Sequence, residues 1–155
     1  MEIYDILDKL NIAYEKCDHN PVWTMEDVMN EKIYEKIDGV ESKAMFVKCK
    51  KRYYLILSPL AGHIDLKKMA EALNEKKLSL ASEDILLEVL NSHPGSVSPL
   101  ALIYDMENKV KVVLDKSLKG KKMLMHPCIN TSTVSISYDD ILRYIEYTGH
   151  QYIEL

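Results

Sequence analysis

The sequence predicts a mixed α/β (α+β) domain in which a central mixed, mostly antiparallel sheet is surrounded by helices. Three observations lead there. Several stretches carry apolar residues at helical spacing behind a side-chain cap, and two pairs of apolar stretches flank short polar turns as hairpins. The run Tyr53-Tyr54-Leu55-Ile56-Leu57 is apolar without alternation, which marks a strand buried on both faces. Helices interleave with hairpins, so a purely parallel sheet is excluded.

In chain order, Ile3, Ile6, Leu7 and Leu10 share one face of an opening helix that Asn11 ends. Ile12 to Asp18 reads as a strand. Thr24 and Asp27 form a capping box for a second helix with Met25, Val28, Met29 and Ile33 on one face, and Gly39 closes that region. Ala44 to Cys49, a Lys50-Lys51-Arg52 turn and Tyr53 to Leu57 make the first hairpin. Asp65 caps a third helix carrying Leu66, Met69, Ala70 and Leu73. After Leu78-Ser79-Leu80, Ser82 caps a fourth, with Glu83 and Asp84 at its positive end. Leu100 to Tyr104 and Lys109 to Leu114 predict a second hairpin around Met106-Glu107-Asn108. Thr133 to Ile136 reads as a strand, Ser137 caps a last helix that stops near Gly149, and Tyr152-Ile153 adds an edge strand.

A length of 155 residues predicts one domain, 1–155, with a substantial core. With 47% hydrophobic and 28% charged residues the chain reads as soluble and globular, and no apolar run approaches a membrane span. Met1-Glu2-Ile3-Tyr4-Asp5 runs straight into a helical pattern, so no signal or transit peptide is expected. Cys17, Cys49 and Cys128 are odd in number and lack CxxC spacing, which fits reduced thiols in a cytoplasmic protein. A net charge of −4 argues against general affinity for nucleic acid, and neither DNA nor a membrane is an expected partner. Two basic clusters, Lys48, Lys50, Lys51, Arg52 and Lys116, Lys119, Lys121, Lys122, read as solvated turns, with phosphate-contacting rims as the functional alternative.

Three segments carry polar or Gly/Pro chemistry that a core element does not need. Lys43 begins a strand that then turns apolar; it is either a solvent-facing edge lysine or an ammonium aimed into a cleft beside Gly39. In Pro94-Gly95-Ser96-Val97-Ser98-Pro99 two prolines fix the ends while Gly95 permits unusual backbone angles or close approach. Such a loop can aim amide hydrogens at a carbonyl oxygen or carboxylate, or be a plain rigid turn. His126 can orient a substrate or shuttle a proton near neutral pH, or serve as a strand-end hydrogen-bonding group. Asn130 and Thr131 offer short polar contacts to an amino or hydroxyl group, or an Asx or Ser/Thr turn. His19 reads as a loop residue, and Trp23 as packing or as an indole that stacks on a base. A metal site can be built from Cys17, His19, His126 and Cys128, but one-residue spacing is not the usual zinc pattern. No Gly-rich phosphate loop, Ser-His-Asp spacing or Cys/His pair is evident.

Together these segments resemble the YbaK/prolyl-tRNA-synthetase editing-domain superfamily, in particular its free-standing PrdX-like (ProX) aminoacyl-tRNA deacylases. The similarity runs through Leu10 to Glu15, His19 to Thr24, Lys43 to Tyr54, Leu78 to Glu83, Pro94 to Leu100, Val110 to Asp115 and His126 to Val134. It implies trans-editing, the hydrolysis of the ester joining a wrong amino acid, most typically alanine, to the tRNA for proline. No cofactor, metal or covalent intermediate is implied. Lys43 falls on the family's essential lysine, which engages the terminal nucleotide or the carbonyl, and Gly95 and Pro99 on its glycine-x-x-x-proline loop. Ser96, Val97 and Ser98 lie within that loop, and His126 falls on the histidine lining the amino-acid pocket. The ribose's neighbouring hydroxyl helps to activate water in such enzymes. The implied partner is the acceptor end of mischarged tRNA, with prolyl-tRNA synthetase as a candidate second partner. Ala44 and Cys128 stand where the family usually has asparagine, which leaves the amino acid removed open among alanine, cysteine, serine and other small residues. A non-catalytic relative that senses an aminoacyl end or docks on the synthetase is the alternative of another class.

Overall fold

The computed structural model describes residues 2–155. The chain begins with α1 (Glu2–Lys9), β1 (Glu15–Asp18), α2 (Met25–Glu31), α3 (Ile33–Lys36), β2 (Val40–Lys48) and β3 (Tyr53–Pro59). It continues through α4 (Leu66–Ala72), β4 (Ser79–Leu80) and α5 (Glu83–Leu90), then a 3₁₀ segment at Pro99–Tyr104. The rest is β5 (Val110–Leu114), a 3₁₀ turn at Lys116–Leu118, β6 (Lys122–Met125), β7 (Ser132–Ser137), α6 (Tyr138–Tyr147) and β8 (Tyr152–Glu154). The strands form one mixed sheet in the order β1-β7-β6-β2-β3-β5-β8, with β4 also pairing on β2. β2–β6, β3–β5 and β5–β8 are parallel; the other pairings are antiparallel.

β3 lies inside the sheet and is covered on both faces, as its unbroken apolar run predicts. Tyr53, Leu55 and Leu57 turn toward the larger core, built with Leu86, Leu90, Leu100, Val112, Ile141 and Tyr144. Tyr54 and Ile56 turn the other way, onto Ala70, Leu78 and Val113, with Leu66 and Met69 of α4 beside them. Each fully buried aliphatic side chain here contributes about 1.5–3 kcal/mol through removal from water. A third cluster, Cys17, Ile33, Ile37 and Leu124, fills the space between α3 and the sheet.

The local cues place most elements. Asn11 adopts φ 55° at the end of the first helix, a left-handed conformation that asparagine tolerates. Thr24 and Asp27 form the capping box, and Asp65, Ser82 and Ser137 each accept a backbone N–H at a helix start. Two expectations need correction. The second helix breaks at Lys32, which sits at φ 53°, so that Ile33 turns into the third cluster while α2 buries no residue at all. Met25 and Met29 of the expected apolar face are 52% and 47% exposed. Leu100 to Tyr104 is not a strand. Pro99 fixes the first residue and the Ser98 hydroxyl accepts the Leu100 N–H at 3.3 Å, which starts a 3₁₀ turn, and the Tyr144 hydroxyl holds the Leu100 carbonyl at 2.7 Å. No helix among the described residues is long and apolar enough to cross a membrane.

Candidate active site

The β2–β6 pairing is short, Val40 with Met123 and Glu41 with Leu124. Beyond its end lies a cavity of about 170 Å³. Glu41, Ser42, Lys43 and Ala44 of β2 line it, opposite Leu124, Met125 and His126 at the end of β6. Pro94, Gly95, Val97 and Ser98 form another wall, with Leu57, Leu60 and Thr133. Val22 to Met25 and Val28 frame the opening, where Trp23 is 76% exposed.

Lys43 enters this cavity from β2, and its ammonium donates to the carbonyl of Gly62 in the segment after β3. No carboxylate pairs with it among the described residues, so one N–H goes to a neutral carbonyl and none to an anion. Gly39 is not its neighbour in the wall. That residue adopts φ 155°, and a side chain there would meet Leu124 at 2.9 Å, which accounts for the glycine by packing.

The loop after α5 is braced internally. Ser96 donates its N–H to the His93 carbonyl at 3.0 Å, and the Ser98 hydroxyl donates to the His126 carbonyl at 2.6 Å. The second bond ties the loop to the end of β6. Both prolines lack an N–H. Gly95, Val97 and Ser98 all line the cavity, and the backbone N–H of each has no acceptor among the described residues. Gly95 is not in the left-handed region, and a Cβ built on it meets nothing within 4 Å. The protein's own backbone and packing therefore do not require glycine there.

The His126 ring Nδ1 lies 2.8 Å from the Ser132 carbonyl, an acceptor, so Nδ1 carries the proton and Nε2 keeps its lone pair. Burial lowers the pKa of this imidazole, which favours the neutral ring. Thr133 links it to His19. Its hydroxyl lies 2.8 Å from His19 Nε2 and 3.5 Å from His126 Nδ1, and the two rings are 5.9 Å apart. His19 Nδ1 in turn donates to the Asn20 carbonyl at 2.8 Å.

Of the residues singled out from the sequence, Lys43, Gly95, Val97, Ser98 and His126 line one cavity. Ser96, Pro99, Asn130 and Thr131 are not among its lining residues. Ser96 belongs to the loop turn, and buried Pro99 starts the 3₁₀ segment. Asn130 holds Val22 through both its carbonyl and its side chain, and the Thr131 carbonyl accepts the His19 N–H. These two position the rim at Val22 and Trp23. Sequence reasoning missed Glu41, Thr133 and the His19 link; Glu41 carried a weak signal, a carboxylate two residues before Lys43 in a strand that turns apolar only from Ala44 to Val47. The four-residue metal set does not assemble. Cys17 packs against Ile33, Ile37 and Leu124, Cys128 packs into the larger core with its thiol pushed up to about 11 by burial, and no group of three metal-ligating side chains occurs among the described residues. Neither basic cluster lines the cavity.

The model of the aminoacyl-tRNA editing domain family matches residues 19–144, which spans every wall of this cavity. The chain belongs to that family and is an aminoacyl-tRNA deacylase, an enzyme whose substrate is a mischarged tRNA. Among its relatives, the prolyl-tRNA editing protein ProX of Acetoanaerobium sticklandii is 36% identical over 149 residues, covering 94% of this chain and 90% of the relative. The prolyl-tRNA synthetase associated domain-containing protein 1 of Danio rerio is 35% identical over 153 residues, covering 96% and 82%. Two solved structures share the fold. The hypothetical protein APE2540 matches with TM-score 0.76 at 15% identity over 99% of this chain and 98% of that one. A proposed trans-editing enzyme for prolyl-tRNA synthetase matches with TM-score 0.71 at 17% identity over 92% and 85%.

Proposed function

We propose that this enzyme acts in trans on tRNA for proline, hydrolysing the ester of a small, wrongly attached amino acid, most typically alanine, without a metal. The observation that carries the reading is the convergence of Lys43, the Gly95 and Val97 amides and the neutral His126 ring on one small cavity. The similarity to ProX of Acetoanaerobium sticklandii supports proline as the tRNA identity.

An ester needs orientation and stabilisation of the developing oxyanion more than it needs a strong base. In this reading the Lys43 ammonium engages the terminal nucleotide or the ester carbonyl. The Gly95 and Val97 amides take the charge that builds on the carbonyl oxygen as water adds. His126 Nε2 accepts a hydrogen bond from water or substrate, and the neighbouring ribose hydroxyl helps to activate that water. Trp23, exposed at the opening, offers a face on which the terminal adenine stacks. In this reading discrimination works by rejecting size, through the space left for the side chain once the ester is seated between the cavity walls. Ala44 places an apolar methyl group in the wall, where it gives neither a hydrogen bond nor the bulk of an asparagine. Prolyl-tRNA synthetase is a proposed second partner.

The test is release of labelled amino acid from alanyl-, cysteinyl-, seryl- and prolyl-tRNA for proline, with and without a chelator. Preferential release of alanine, unchanged by the chelator, supports the reading. Release of correctly attached proline at a comparable rate contradicts the editing role, and loss of activity with the chelator contradicts the metal-free one.

A further inference from the structure

Among the described residues lining the cavity, Glu41 is the one carboxylate. Its Oε1 is sealed from solvent and has no hydrogen-bond partner among the described residues. A buried acceptor left without a donor is costly, and a buried carboxylate far more so unless a cation meets it. No ion pair meets it among the described residues: Lys43, two residues along the same strand, donates a hydrogen bond to the Gly62 carbonyl instead. Glu41 pairs with Leu124 of β6 and its carbonyl accepts the Leu60 N–H, Met25 and Val28 of α2 also line the cavity, and Lys43 and His126 are the other titratable groups in its wall.

Every aminoacyl ester carries an α-amino group one carbon from the carbonyl under attack. We propose that Glu41 is the receptor for that α-ammonium group, an inference that rests on the editing reading above. The site then holds its substrate by two opposite charges on one strand, with Lys43 toward the nucleotide or carbonyl and Glu41 toward the amino group. The spacing is fixed by the two-residue repeat of β2, which puts both side chains on one side of the strand. Burial raises the Glu41 carboxyl to about 7, so near neutral pH it is close to half protonated, and an ammonium beside it favours the ionised form. Recognition of the α-amino group also makes the site indifferent to amino acids whose amine is blocked.

The experiment separates this role from hydrolysis by measuring binding. The probes are 3′-alanylamino-3′-deoxyadenosine, an amide that resists cleavage, and its lactoyl counterpart, which replaces the ammonium with a neutral hydroxyl of nearly equal size. Calorimetry with the wild type is expected to favour the alanyl probe by roughly 10- to 100-fold. Glu41→Gln, which keeps the side chain's shape, is expected to remove that preference by weakening the alanyl probe alone, with thermal unfolding confirming that the variant is folded. Equal binding of the two probes by the wild type, or no binding of either, overturns the proposal. So does a Glu41→Gln variant that binds the alanyl probe as tightly as wild type while losing turnover, which assigns the carboxylate to water activation. Release of alanine from alanyl-tRNA by the wild type is scored separately and tests the editing reading itself.

Discussion

Glu41 links the chemistry of the cavity to the stability of the chain. Burial holds its carboxyl at about 7, against 4.5 for an exposed glutamate. Below 4.5 the folded and unfolded chains both carry the proton. Between 4.5 and about 7 the folded chain keeps a proton that the unfolded chain has lost, so this residue's contribution to stability declines as pH rises through that window. Glu41→Gln removes the ionisation. Its melting temperature is therefore expected to exceed that of the wild type most at about pH 8 and least near pH 4.5, and a difference that grows toward acid contradicts this account. His126 is opposite in sign: burial lowers its pKa, so it resists protonation where a free imidazole accepts it. Lys43 and His126 stand out in the sequence through the resemblance of their segments to the editing-domain family, since by position alone each reads as a structural or surface residue. Glu41 is not singled out by the sequence, since nothing local says that β2 and β6 pair for two residues and then leave an opening beside it.

At the scale of elements, the loop between α5 and the 3₁₀ segment depends on one hydroxyl. Ser98 accepts the Leu100 N–H and donates to the His126 carbonyl, so it starts the 3₁₀ turn and holds two cavity walls together. Ser98→Ala is expected to cost about 1–2 kcal/mol in chemical denaturation, since it removes a cap and leaves a carbonyl without its donor. Deacylation is expected to fall as well, because the Gly95 and Val97 amides lose their fixed distance from His126. A variant with unaltered stability and rate contradicts this role. Helix starts at Thr24, Asp65, Ser82 and Ser137 were legible because a cap acts within three residues. The 3₁₀ segment was not. Leu100 to Tyr104 has the composition of a strand, and what decides its conformation includes the Tyr144 hydroxyl, 44 residues away. The break at Lys32 was hidden for the same reason, since Ile33 is drawn into a cluster with Cys17 and Leu124.

Across the whole molecule, the sheet that presents the cavity is locked far from it by Asp105. This buried carboxylate accepts the Lys109 N–H at 3.1 Å, the Val110 N–H at 2.9 Å and His150 Nε2 at 2.8 Å, which ties the start of β5 to the segment before β8. Asp105→Ala is expected to destabilise the fold by about 3 kcal/mol, because it strands buried donors on three residues. A melting temperature unchanged from wild type contradicts that. The sheet's mixed character was legible from the β2–β3 hairpin and the doubly covered β3, but its strand order was not, since β2–β6 and β3–β5 pair residues distant in the chain, and the second expected hairpin does not form. That order is also what brings Lys43, Gly95 and His126, from three separate thirds of the sequence, to one hollow. The most direct test of that convergence is the rate at which wild type and Lys43→Ala release alanine from alanyl-tRNA for proline. We expect rapid release by the wild type and a loss of roughly 100-fold or more in the variant, with its melting temperature retained. Release by the wild type no faster than spontaneous hydrolysis, or an unimpaired Lys43→Ala, would contradict the account.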